Sequence, residues 1–163
     1  EKYGLTLHET PVGFKHLCRL MTERDILIAA EESGGLGVKG HLPERDGIYI
    51  GLLLAEIIAV RKKSLSALVT EIMEEFGWHF YNRIDSHLTE KEKQRILSVY
   101  RKGVKSIGSS PVRRVETTDG FKLFVDNGWV LVRASGTEPL IRFYAEAGSP
   151  EAVDALLKAA TSV

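Results

Sequence analysis

Residues 112–147 read VRRVETTDGFKLFVDNGWVLVRASGTEPLIRFYAEA. Four apolar stretches stand in this run, at 112–117, 121–126, 129–134 and 140–147. Each is too short for an ordinary helix and rich in β-branched and aromatic residues, so each is predicted to be a strand. Asp119-Gly120 and Asn127-Gly128 separate the first three, and such dipeptides favour tight hairpin turns because they tolerate positive φ. Short connections make neighbouring strands antiparallel. Upstream, Thr89-Glu90-Lys91-Glu92 is a capping box that opens a helix ending near Gly103. Downstream, Ser149-Pro150-Glu151 starts a last helix with proline at its first position. An extended segment at 78–87 precedes both. The second half is thus predicted to be an α+β unit, a four-stranded, mostly antiparallel sheet with two helices.

Gly77 breaks the pattern, and the style differs before it. Phe14, Leu17, Cys18 and Met21 recur at helical spacing, which predicts a helix near 13–22. Asp25-Ile26-Leu27-Ile28-Ala29-Ala30 suits a short buried strand. A glycine-rich loop at 31–47 leads into an apolar helix at about 48–62 and another at 65–76, with Asp46 and Ser64 as caps. Alternating helix and strand predicts an α/β region for residues 1–76, followed by the α+β domain over 77–163.

Composition narrows the partners. Lys plus Arg equals Asp plus Glu at 22 each, so a diffuse basic field for nucleic acid or a membrane surface is not expected. Cys18 is the only cysteine, which excludes an internal disulfide and fits a cytoplasmic setting. The apolar run at 48–60 is too short to span a bilayer and carries Glu56. The chain opens Glu1-Lys2-Tyr3-Gly4, which reads as the middle of a longer protein. His8, His16, His79 and His87 lack metal-ligand spacing, and Trp78, Phe80 and Tyr81 lack a surrounding basic cluster, so core packing is expected of those aromatics.

Two loops could carry chemistry. In Glu31-Glu32-Ser33-Gly34-Gly35, carboxylates and a hydroxyl beside glycines suit a polyol, or equally a solvated acidic turn. In Arg133-Ala134-Ser135-Gly136-Thr137-Glu138-Pro139, a guanidinium fork, two hydroxyls and a glycine suit a phosphate, with Arg142 returned to the same mouth by strand alternation. The bland alternative is a hairpin connection with Glu138 paired to an arginine. Lys15 falls in the first turn of a helix, where a cation is unfavourable unless an anion shares that end. Arg45, within His41-Leu42-Pro43-Glu44-Arg45-Asp46-Gly47, can simply pair with Glu44 or Asp46.

Those motifs, in that order, together with Thr10-Pro11-Val12-Gly13-Phe14-Lys15 and the 75–85 stretch, resemble the α-D-phosphohexomutase superfamily, and most of all its bacterial phosphoglucomutases. The resemblance implies that residues 1–76 are the later part of the family's α/β third domain. It implies that 77–163 are its fourth domain, a TATA-binding-protein-like α+β fold. It implies interconversion of glucose 1-phosphate and glucose 6-phosphate through a phosphoserine and a glucose 1,6-bisphosphate intermediate, with Mg2+ beside that serine. The phosphoserine loop and the Asp-Gly-Asp-Gly-Asp metal loop are not in this sequence, so no metal ligand and no mutase activity are expected of this chain alone. By resemblance Glu31 and Ser33 hold sugar hydroxyls. Arg133, Ser135, Gly136, Thr137 and Arg142 grip the phosphate that is not reacting. Lys15 and Arg45 are further cations facing the cleft, Arg45 being the one catalytic candidate. A phosphomannomutase or phosphoglucosamine mutase piece, or a noncatalytic sugar-phosphate module, are the alternatives; the Glu-Glu-Ser-Gly-Gly form favours glucose. One departure is Ala29-Ala30, where relatives commonly have glycines before the loop. A β-carbon there is expected to restrict the turn.

Overall fold

A computed structural model describes residues 2–136 and 138–162. The chain divides into two compact units, Glu1–Val69 and Thr70–Val163.

The first unit opens with α1 (Phe14–Glu23), an amphipathic helix that buries Phe14 and Leu17. These pack with Ala29 and the half-buried Cys18, Met21 and Ile26 into a small core. β1 (Ile28–Ala30) and β2 (Leu36–Val38) pair antiparallel, Ile28 opposite Val38 and Ala30 opposite Leu36. The buried strand expected at 25–30 is therefore a short hairpin arm. Only Ala29 is buried, and Leu27 and Ile28 are more than half exposed, because β1 has the single partner β2. α2 (Gly47–Arg61) starts where Asp46 accepts the backbone N–H groups of Ile48 and Tyr49, and ends on Lys62 in the left-handed conformation. Apolar residues run all round α2, yet only Ile50 is buried. α3 (Leu65–Phe76) is capped by the Ser64 hydroxyl, which accepts from the Ala67 N–H. The boundary between the units falls within α3.

The second unit contains β3 (Phe80–His87), α4 (Glu90–Lys102), the two-residue strands β4 (Ser106–Ile107) and β5 (Ser110–Pro111), then β6 (Arg114–Glu116), β7 (Phe121–Val125), β8 (Gly128–Ala134), β9 (Leu140–Ala147) and α5 (Pro150–Thr161). β4 and β5 pair only with each other, while the main sheet is five-stranded in the order β3-β9-β8-β7-β6, antiparallel throughout. The α+β architecture is the expected one, with one strand more than the four predicted. The extended segment at 80–87 is that fifth strand, and all eight of its residues pair with β9. Its alternation is weak because it lies at the sheet edge and stays largely exposed.

Strand alternation divides the sheet into two faces. Leu123, Val125, Val130, Val132, Ile141, Phe143 and Ala145 point one way into a single core. α4 adds Ile96, Leu97 and Tyr100 to it, and α5 adds Val153, Leu156, Leu157 and Ala160. The buried Tyr100 hydroxyl donates to the Ala160 carbonyl at 2.8 Å, which ties the two helices together on that side. The expected capping box is formed, with Thr89 and Glu92 bonded reciprocally, and Ser149 caps α5. Of the aromatics assigned to the core, only Phe80 packs against it; Trp78 and Tyr81 are about half exposed, on a segment too close to the sheet edge to be covered.

The β7–β8 turn consists of Asp126 and Asn127, since Val125 pairs with Gly128. Neither turn residue has positive φ; Gly128 does, at 156°. A Cβ at Gly128 would stand 2.1 Å from the Glu146 carbonyl oxygen on β9. Gly128→Ala should therefore push β8 from β9 and cost about 2 kcal/mol or more. Urea unfolding followed by the near-ultraviolet signal of Trp129 is the check.

Candidate functional site

The first candidate loop closes the β1–β2 hairpin, rather than leading from a strand into a helix. The Glu31 N–H donates to the Gly35 carbonyl at 2.9 Å, and the Gly34 N–H to the Glu31 carbonyl at 3.0 Å. Ala30 has ordinary extended backbone, so its β-carbon does not restrict the turn. The side chain of Glu31 is mostly covered, at 15% exposed, and its Oε2 accepts from Arg45 Nη1 at 2.9 Å. Ser33 is exposed at the tip.

Arg45 is the residue whose partner the sequence left ambiguous. It does not pair with Asp46, whose second oxygen lies 2.9 Å from His41 Nε2. The Glu44 carboxylate accepts the Arg45 backbone N–H, while its distance to Arg45 Nε is 4.0 Å. The guanidinium reaches instead across to Glu31, 5.6 Å over the ring of the buried Phe14. Gly35 makes room for this bridge: a Cβ there would lie 3.2 Å from Glu31 Oε2 and 3.3 Å from Arg45 Cδ. The hairpin, α1 and the start of α2 thus meet at one ion pair. A cavity of about 500 Å³ opens beside it, lined by Ser33, Gly35, Arg45, Gly47, Ile50 and Leu54. Lys15 projects exposed from the first turn of α1, a turn that contains no acidic residue.

The second candidate loop joins β8 to β9. The Ser135 N–H donates to the Leu140 carbonyl at 3.0 Å, and the Leu140 N–H to the Glu138 carbonyl at 2.8 Å. Ser135 is buried, at 7% exposed, and its Oγ accepts the Glu138 N–H at 3.1 Å. Its oxygen therefore braces the turn. Gly136 is exposed, with open space where a Cβ would stand. Thr137 lies outside the described residues. The Pro139 carbonyl accepts the Leu88 N–H at 3.2 Å, which fastens the loop to the segment after β3.

Arg133 and Arg142 are directly opposite each other across β8 and β9, and Asp85 on β3 is opposite Arg142. All three lie on the sheet face away from the helices, because their neighbours Val132, Ile141 and Phe143 point into the core. Both arginines are largely covered, at 16% and 24% exposed. Carboxylates surround them. Asp119 Oδ2 is 3.0 Å from Arg133 Nε, Asp85 Oδ2 is 3.6 Å from Arg142 Nε, and Glu138 Oε2 accepts from Arg142 Nη2 at 3.1 Å. Neither buried Nε makes a hydrogen bond with good angles. The structure thus brings Arg133, Ser135 and Arg142 together, and pairs Glu138 with Arg142. Asp119, in the turn between β6 and β7, and Asp85 on β3, neither singled out in the sequence, complete the cluster; antiparallel register opposite Arg142 was the signal that could have found Asp85.

Family models of the phosphoglucomutase/phosphomannomutase α/β/α domain III and C-terminal domain match residues 1–76 and 84–162. The chain belongs to the phosphoglucomutase/phosphomannomutase family. It is 32% identical over 151 residues to the phosphoglucomutase/phosphomannomutase of Thermococcus kodakarensis, covering 93% of this chain and 31% of that one. It is 30% identical to the phosphoglucomutase of Rhizobium radiobacter, covering 93% and 32%. A solved structure from Thermus thermophilus, described under the name phosphomannomutase, matches 98% of this chain and 31% of its own, with a TM-score of 0.78 and 37% identity. The chain therefore spans about a third of the length of these relatives.

Within the family frame, the Glu31 hairpin belongs to the domain III match and the Arg133 loop to the C-terminal-domain match. Among the described residues, no group of three or more His, Cys, Asp or Glu side chains could hold a metal ion. No described helix is long and apolar enough to cross a membrane.

Asp46 anchors the domain III side. Hydrogen bonds from the Tyr49 N–H, then from His41, hold its carboxyl below the usual range. A depressed carboxyl stabilises the fold above its unfolded pKa, about 4, and that contribution disappears as pH falls through the depressed value. Asp46→Ala should lower the thermal midpoint near neutrality, and the gap to the parent should close on acidification below about pH 4. Melts recorded from pH 7 to pH 3 measure it.

Proposed function

We propose that this chain is the substrate-binding part of a phosphoglucomutase that interconverts glucose 1-phosphate and glucose 6-phosphate through a phosphoserine and glucose 1,6-bisphosphate, in the cytoplasm. Residues 1–76 would be the later part of the third domain and 77–163 the fourth. The observation that carries this reading is the facing pair Arg133 and Arg142 at the mouth of the Ser135 loop. Two arginines opposite each other on adjacent strands offer guanidinium donors that suit a phosphate dianion. The Glu31 hairpin supplies the complementary chemistry: Oε2 is held by Arg45, so the carboxylate is oriented, and the exposed Ser33 hydroxyl stands at the tip. Lys15 adds a cation at a helix N-terminus that no described acidic side chain in its first turn balances.

Binding the remote phosphate fixes the sugar for a reaction at its other end. The reacting serine and the Mg2+ would come from parts of the enzyme outside this sequence. The apolar circumference of α2, with only Ile50 buried, supports membership in a larger fold, since a helix apolar all round is normally an interior one. A relative from Exiguobacterium at 30% identity is named phosphoglucosamine mutase, so the amino sugar is the second reading.

Calorimetric titration with glucose 6-phosphate, mannose 6-phosphate and glucosamine 6-phosphate ranks the sugars. Arg133→Ala should weaken the preferred ligand by roughly 10- to 100-fold, the value of a charge-assisted contact of about 1.5–3 kcal/mol. Unchanged affinity in Arg133→Ala would exclude Arg133 from the phosphate site.

A further inference from the structure

Glu138 belongs to the phosphate loop yet carries the same charge sign as the ligand proposed for it. Its carboxylate accepts from Arg142 Nη2 at 3.1 Å, on one of the two guanidinium groups proposed for the phosphate. Both groups are anions, so a phosphate on the same guanidinium repels this carboxylate. We infer that Glu138 is an internal competitor for phosphate, holding Arg142 while the site is empty and swinging out when the anion arrives; this rests on the phosphate reading of Arg133 and Arg142.

Three features single out Glu138 among the carboxylates in the cluster. First, Asp119 and Asp85 are less exposed, both at 31%, and Asp85 is shared with Arg83 at 2.9 Å. Glu138 is half exposed, at 51%, and Arg142 is its side-chain partner among the described residues. Second, its backbone is pinned at both ends, the N–H on Ser135 Oγ and the carbonyl on the Leu140 N–H. Departure of the carboxylate therefore needs only side-chain rotation, on the fast timescale of exposed rotamers, and no refolding of the loop. Third, an exposed ion pair of this kind is weak, so a dianion that engages both arginines displaces it readily. The consequence is a clamp that keeps the covered Arg142 guanidinium balanced when empty and does not hold its ligand too tightly. A bisphosphate that must turn over within a mutase site requires such moderate affinity.

The test uses the 163-residue chain and inorganic phosphate, with amide shifts of residues 133–142 followed in 1H–15N spectra at low and high KCl. Glu138→Gln should bind phosphate about fivefold more tightly than the parent at low salt, the upper end for an exposed pair, and the advantage should shrink as salt rises. Glu151→Gln, which removes an exposed carboxylate beyond the other end of β9, should bind like the parent. Equal or weaker binding by Glu138→Gln, while Arg142→Gln loses phosphate, overturns the competitor role and leaves the phosphate site standing. A parent whose loop amides do not respond to phosphate, or respond equally in Arg133→Gln and Arg142→Gln, overturns the phosphate reading and this inference with it.

Discussion

β8 and β9 place two cations, Arg133 and Arg142, directly opposite each other. Like-charged cross-strand pairs weaken a sheet, so this one needs compensation. The apolar face of the same strands supplies part of it. Val132, Ile141 and Phe143 alternate with the arginines and are essentially inaccessible, and α4 and α5 seal them. Asp119, Asp85 and Glu138 supply the rest as counter-charge. The sheet is thus stabilised from one side so that its other side can hold an electrostatic arrangement that would not stand by itself.

The Glu31 hairpin shows a related device on a smaller scale. Its carboxylate is mostly covered, and a covered charge needs a partner. Arg45 provides it from a position just before the α2 cap, so the same short segment orients Glu31 and starts the helix. Gly35 is small because the bridge passes over it. In both loops the covered charged groups, Glu31, Arg133 and Arg142, are already engaged with side chains of opposite charge.

Much of the local structure was legible in the residues. Asp46, Thr89 with Glu92, and Ser149 act on backbone N–H groups two or three positions away, so a few letters suffice to read them. The strands at 121–125, 128–134 and 140–147 were readable from composition and from their turns. The strand at 80–87 was harder, because an exposed edge imposes little hydrophobic alternation. The short strand at 28–30 misled for the opposite reason. Its apolar residues suggested burial, but a single hairpin partner leaves Ile28 exposed.

The amino-acid order by itself determined the capped helices, the antiparallel α+β half and the family motifs, since each depends on neighbours within a few bonds. Only the tertiary structure decided that Arg45 serves Glu31, 14 residues away, and that Arg133 and Arg142 face each other among Asp119, Asp85 and Glu138. Charges attract without regard to sequence distance, and a side chain with several possible partners takes the one that strand register and packing bring within reach.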